Sequence, residues 1–258
     1  MTRLRSAMGL EVVLAVRQKF LHAAVFSGLI WLAVLLPMPP GLRPVAEPYI
    51  LLGDIAIIGF FFIGASVFFE KQERTVGAVV TSPLRFWEYL AAKVALLTAV
   101  SVFVAVVVAT VAHGADYRLL PMVAGVVLGT LVMLLVGFAT SLPFDSASDW
   151  FISGTVPLAV LTGLPVLYLS GAWTSPVLYV IPTLGPLLLL GGAFGQIDPA
   201  PWQTVYAVGY PLVAAAALAA VARALFVRHV VARTWRAHVR SPPSRATTFA
   251  GRIATRCW

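Results

Sequence analysis

The chain of 258 residues is 60% hydrophobic and only 11% charged, with a formal net charge of +8 and a mean hydropathy of +0.93. A soluble globular domain is about half apolar and about a quarter charged, so the composition excludes one and calls for a polytopic membrane protein. At about 20 residues per helical span, about six spans fit and a soluble catalytic domain does not.

The apolar runs lack the two-residue alternation of barrel strands, so the spans are helices and the fold class is all-α. The basic residues gather at the termini and between Gly59 and Lys93, with no base-stacking aromatics among the arginines. That pattern is positive-inside charge facing the cytoplasm and speaks against nucleic acid. A single cysteine, Cys257, excludes an internal disulfide and a cysteine metal site.

In chain order, residues 2–19 come first. Leu4, Met8, Val12 and Val16 recur every four residues, and Arg3, Arg5, Arg17 and Lys19 lie off that stripe. The spacing predicts an amphipathic helix on the membrane surface, the alternative being a plain cytoplasmic extension of the first span. The first span covers Phe20 to Met38 and stops at Pro37-Met38-Pro39-Pro40-Gly41. No small-residue cleavage site accompanies it, so it reads as a retained span. The second span covers Tyr49 to Phe69. Asp54 lies inside it, two turns from the outer end, within reach of the headgroups by snorkelling. An intramembrane acid is also a candidate for a substrate path, and Asp54, Phe61 and Phe62 form that candidate translocation path.

Charge then arrives abruptly with Glu70, Lys71, Glu73 and Arg74, followed by Thr81-Ser82-Pro83. Spans three and four cover Val94 to Ala112 and Leu119 to Ser141, joined by an outer turn at His113–Arg118. The inner loop Leu142–Trp150 leads to a fifth span, Phe151 to Leu169, broken by Pro157 and Pro165. Ser175 to Gly195 is apolar but cut by Pro176, Pro182 and Pro186 into runs too short to cross. It reads as a re-entrant or surface hairpin on the outer side. The last span covers Thr204 to Val227, with an arginine-rich extension and a tail lacking apolar periodicity, expected to be disordered. Six spans with both termini cytoplasmic place nearly all Lys and Arg residues inside, the outer loops carrying Arg43 and Arg118 only, whereas seven would put the arginine-rich C-terminus outside.

No GxxxxGK[ST], HExxH or GxSxG motif occurs, and the four histidines lack ligand spacing. Asp145 and Asp149 read as a solvated pair. No catalytic residue, metal site or proton relay is predicted, so the chain reads as a passive pore-forming element powered from elsewhere.

At Gly59–Lys93 the sequence resembles the permease subunits of ABC-2-type ATP-binding-cassette exporters. The matching features are Glu70-Lys71-Gln72-Glu73-Arg74-Thr75-Val76-Gly77, Thr81-Ser82-Pro83, Glu88 and Lys93. The family's Gly-Thr order departs here, the glycine being delayed to Gly77. A closer similarity, to the permeases of fluoroquinolone exporters, rests on GFFFIGASVFFEK, SPLRFWEYLAAK and IPTLGPLLLLGGAFG and covers most of Arg17 to Val231.

The resemblance implies a permease subunit that forms the path for an amphipathic drug-like or lipid-like substrate. It implies a plasma-membrane location, a homodimer or a heterodimer with a sister permease, and a separate ABC ATPase subunit holding ATP and Mg. This chain itself would hold no cofactor. The divisions expected are 1–19 interfacial helix, 20–231 transmembrane domain and 232–258 basic tail. The ATPase would grip a cytoplasmic coupling helix between spans two and three: Glu70, Lys71, Glu73, Arg74, Thr75, Val76, Gly77, Val79, Val80, Ser82 and Pro83. Ser82-Pro83 suits a helix start. Glu70 and Arg74 are four apart and can pair, leaving Lys71 and Glu73 facing outward. The alternative from another class is a membrane-embedded scaffold or enzyme subunit without transport.

Overall fold

The computed structural model describes residues 2–73 and 86–231. Arg74, Thr75, Val76, Gly77, Val79, Val80, Ser82 and Pro83, and with them the expected coupling helix, lie outside the described residues, as does the 232–258 tail. Every regular element among the described residues is helical.

Helix α1 (Thr2–Arg17) runs into α2 (Phe20–Leu35) through Lys19, whose φ of 60° is the left-handed conformation. The two helices are bent by 64° there. Met8, Val12 and Val16 of the apolar stripe are exposed, while Glu11 and Ala15 turn into the bundle.

The second apolar segment is one helical run from Arg43 to Gln72. It comprises α3 (Arg43–Ile55), a π-helical stretch Ala56–Phe62, and α4 (Ile63–Gln72). It begins six residues before the Tyr49 expected, because Pro44 in the first turn needs no N–H partner and the Arg43 guanidinium ties the start to the carbonyls of Leu36, Met38 and Ala112. Asp54 therefore lies three turns inside, not two.

α5 (Phe86–His113) also starts early, eight residues before Val94. α6 (Leu119–Ser141) has the bounds expected. α7 (Ala147–Leu169) is capped by the Ser146 side chain. It is continuous through Pro157 and Pro165, which corrects the expectation of a broken span.

Between α7 and the last helix, Pro176–Val180 forms a 3-10 turn and Leu184–Ala193 forms α8. All ten residues of α8 are buried, packed against α6 and α9 (Pro201–Phe226). α8 is thus inside the bundle, while Val177 and Val180 of the 3-10 turn are exposed, and at 10 residues α8 is too short to cross. A π-helical turn, Val227–Val231, ends the described chain.

Five helical runs are long and apolar enough to span, and a sixth is counted if the bent pair α1–α2 is one span. The chain is an all-α, multi-pass membrane protein.

Helices α6 and the α3–α4 run form the centre. A Cβ on Gly137 of α6 would sit 2.6 Å from the Phe60 carbonyl oxygen, so glycine is what lets these two backbones touch. Gly64 leaves room for Trp150, whose ring a Cβ there would meet at 2.2 Å. Trp150 stacks on Phe60 at 5.2 Å and donates its indole N–H to the Thr140 hydroxyl at 3.2 Å. Without a hydrophobic force between helices in lipid, such close small-residue packing holds the bundle.

Candidate functional site

The polar residues on either side of the 74–85 segment converge. Ser66 and Glu70 are four apart on α4, and Tyr89 and Lys93 are four apart on α5, so each pair shares one helix face. The two faces meet, and α1 closes over them with Glu11. The Lys93 ammonium, 1% exposed, donates to Glu70 Oε1 at 2.5 Å, Ser66 Oγ at 2.7 Å and Glu11 Oε2 at 3.1 Å. The Tyr89 hydroxyl donates to Glu70 Oε2 at 2.5 Å. The Lys93 ammonium has three oxygens around it, which is what an ion in an apolar interior requires.

Glu70 turns into the bundle, where Lys93 and Tyr89 hold it; Arg74, the partner that the four-residue spacing predicts, lies outside the described residues. Lys71 does not face outward either. Its ammonium donates to the carbonyls of Ser141, Leu142 and Phe144 at 3.0, 3.1 and 2.6 Å and lies 5.0 Å from the Phe68 ring centre. It closes the C-terminal end of α6, where unpaired carbonyls and the helix dipole favour a cation. Glu73 does face outward, and its carboxylate accepts from Arg17 at 2.9 Å. Helix α1 is thus fastened to both flanks of the 74–85 segment, through Glu11–Lys93 and Arg17–Glu73.

The residues of the candidate path separate. Asp54 is buried and accepts from the Ser27 hydroxyl at 2.8 Å. It does not snorkel, because α3 starts too early to leave it near an end. Its Oδ2 has no hydrogen-bond partner. The π-helical stretch begins two residues later, a local widening that often marks functional segments. Phe61 stacks on Phe151 at 5.3 Å, whereas Phe62 stacks on Phe20 at 5.4 Å, so the two phenylalanines serve different interfaces.

Glu11, Ser66 and Tyr89 were not among the expected site residues, and Lys93 was marked by resemblance alone. The signal available was the matched four-residue polar spacing at the facing ends of two apolar runs.

No group of three or more His, Cys, Asp or Glu residues that could hold a metal ion occurs among the described residues. No solved structure matches the chain. Two relatives do, from two strains of Mycobacterium tuberculosis, each named a fluoroquinolones export permease protein. Each is 68% identical over 234 residues, covering 91% of this chain and 99% of the relative. The fluoroquinolones export permease protein family matches residues 2–234, which include every span and the charge cluster. With that match over most of its length, the chain belongs to the fluoroquinolones export permease protein family.

Proposed function

We propose that this chain is the membrane-spanning permease subunit of an ABC exporter in the cell membrane, with six spans and both termini cytoplasmic. It would pair with a second copy or a sister permease, and a separate ATPase subunit would bind ATP and Mg. The Glu11–Glu70–Lys93 cluster carries this reading. It joins α1, α4 and α5 at the base of the 74–85 segment, so a push on that segment moves three helices together. A hydrated loop that merely connected two spans would need no buried ion pair, which costs desolvation to form. α8 enters the bundle from the outer side and returns, closing the path from outside. The substrate is an amphipathic, drug-sized compound of the class for which the relatives are named.

The ATPase would grip Glu73, Arg74 and the apolar face of Val76, Val79 and Val80. Glu73→Ala and Arg17→Ala separate this contact from the internal pair. Both break Arg17–Glu73, an exposed link worth about 0–1 kcal/mol, but only the first removes the proposed anchor. Losing a charged interface contact costs about 2–5 kcal/mol when its partner is left unpaired and much less at an exposed rim. Glu73→Ala should weaken co-purification of the ATPase and ATP-driven export at equal membrane expression, and Arg17→Ala should leave both near wild type. Equal ATPase binding and unchanged export in Glu73→Ala would remove Glu73 from the interface.

A further inference from the structure

Four acids are buried among the described residues: Glu11, Glu47, Asp54 and Glu70. Three of them face a cation. Glu11 and Glu70 share Lys93 at 3.1 and 2.5 Å, and Glu47 lies 3.0 Å from His113. Asp54 has no ion pair among the described residues. Yet it is 2% exposed and lies inside the 30-residue run Arg43–Gln72.

Its surroundings hold hydrogen-bond donors and no counter-charge. Ser27 and Trp31 are four apart on α2 and share the face turned to α3. Ser27 donates to Asp54 Oδ1 at 2.8 Å. The Trp31 ring packs on Gly53, where a Cβ would lie 3.2 Å from it. Its buried indole N–H has no hydrogen-bond partner, and neither has Asp54 Oδ2. Besides α2, α3 packs mainly on α5, α6, α7, α8 and the π-helical stretch Ala56–Phe62. α6, α8 and that stretch contain no titratable residue. The cations of the other elements are committed elsewhere. Lys93 of α5 holds the charge cluster, His113 of α5 pairs with Glu47, and Arg43 of α3 holds the carbonyls of Leu36, Met38 and Ala112. His22 of α2 is exposed. The remaining titratable groups bring no positive charge: Glu47 and Tyr49 of α3, Glu88 and Tyr89 of α5, Asp149 and Tyr168 of α7.

We propose that Asp54 binds an exchangeable proton inside the membrane, which takes the place of the cation that the other buried acids have. An isolated carboxylate in an apolar interior is so costly that the group is neutralised instead. The proton comes from bulk water and bonds to a lone pair of Oδ2, the oxygen that Ser27 leaves free. The single negative charge is cancelled, and no other group changes. A hard metal cation is a poorer occupant, since it takes about six or more oxygens and Asp54 and Ser27 supply few. Release of the proton leaves a bare charge in hydrocarbon, so it requires water at the α2–α3 interface. An acid in this position is where a membrane protein holds or passes a proton. The site needs only the membrane-spanning fold and does not depend on the export reading.

Infrared spectroscopy of the purified full chain in phospholipid nanodiscs tests this, with the aspartate side-chain carboxyl carbons isotopically labelled. The other aspartates, Asp116, Asp145, Asp149 and Asp198, are all exposed. At pH ~6, about two units above the ordinary aspartate value of ~3.9, exposed aspartates are ionised and give carboxylate bands. The expected result is one isotope-shifted C=O stretch of a protonated acid, present in the wild type and absent from Asp54→Asn. It should shift again in heavy water, as an exchangeable O–H requires. Carboxylate bands alone in the wild type would overturn the proposal. So would a protonated-acid band that survives in Asp54→Asn, because the proton then sits on another residue, or one that never responds to heavy water. Should Asp54→Asn not insert, Ser27→Ala serves in its place. Loss of the hydroxyl from Oδ1 must move the band, and an unmoved band assigns it elsewhere and ends the proposal.

Discussion

Lys93→Met tests the charge cluster most directly. The substitution keeps an unbranched side chain and removes the ammonium. Glu70 and Glu11, with side chains 5% and 9% exposed, then remain without their shared cation. Tyr89 still donates to Glu70. Removing one partner from a buried ion pair costs about 3–5 kcal/mol, because the other charge stays behind in a poor solvent. For a chain of this length each kcal/mol moves the melting midpoint by about 2–4 °C, so a drop on the order of 10 °C is expected. Replacing both Lys93 and Glu70 by apolar residues should recover most of that loss, since paired removal leaves less uncompensated charge. The assay is thermal unfolding in nanodiscs followed by tryptophan fluorescence, at equal lipid composition. A midpoint for Lys93→Met within 1 °C of wild type, or a double variant as unstable as the sum of the two singles, would show that water or relaxation neutralises the cluster. The brace between α1, α4 and α5 would then have no energetic basis.

Two further outcomes follow from the packing and the topology. Gly64→Ala places a methyl group 2.2 Å from the Trp150 ring and should destabilise the chain by about 1–3 kcal/mol through overpacking, with a red-shifted tryptophan emission as Trp150 is displaced; unchanged melting and emission would mean that the ring has room to move. In a chain lacking Cys257, a cysteine at Ala115 should react with a membrane-impermeant maleimide on intact cells, and one at Gln72 only after permeabilisation; labelling of Gln72 from outside would end the six-span reading.

The apolar runs were long enough to announce a helical membrane protein, and α6 was legible to the residue. It is bounded by Arg118 on one side and by Leu142-Pro143 on the other, so local chemistry alone starts and stops it. The short pieces of the 175–195 stretch were legible too, because Pro176, Pro182 and Pro186 limit any helix there whatever surrounds it. The end of the second apolar segment and the start of the third were misread for the opposite reason. Charged residues in a sequence look like the edge of hydrocarbon, so Glu70 and Lys93 marked boundaries and Arg17 and Lys19 the polar side of an interfacial helix. Inside the fold Glu70 and Lys93 neutralise one another, and α5 continues back to Phe86. Glu11 and Lys93 are 82 residues apart and Glu70 and Lys93 are 23 apart. No local rule pairs residues at such separations, since helical periodicity assigns a face but not the neighbour across it. That Asp54 meets no cation is likewise a matter of which helices surround it. Composition and periodicity determined that these segments are membrane helices; which polar groups share a partner, and which is left without one, depended on the packing of helix against helix, because the cost of burying a charge is cancelled only when another element brings the opposite charge to it.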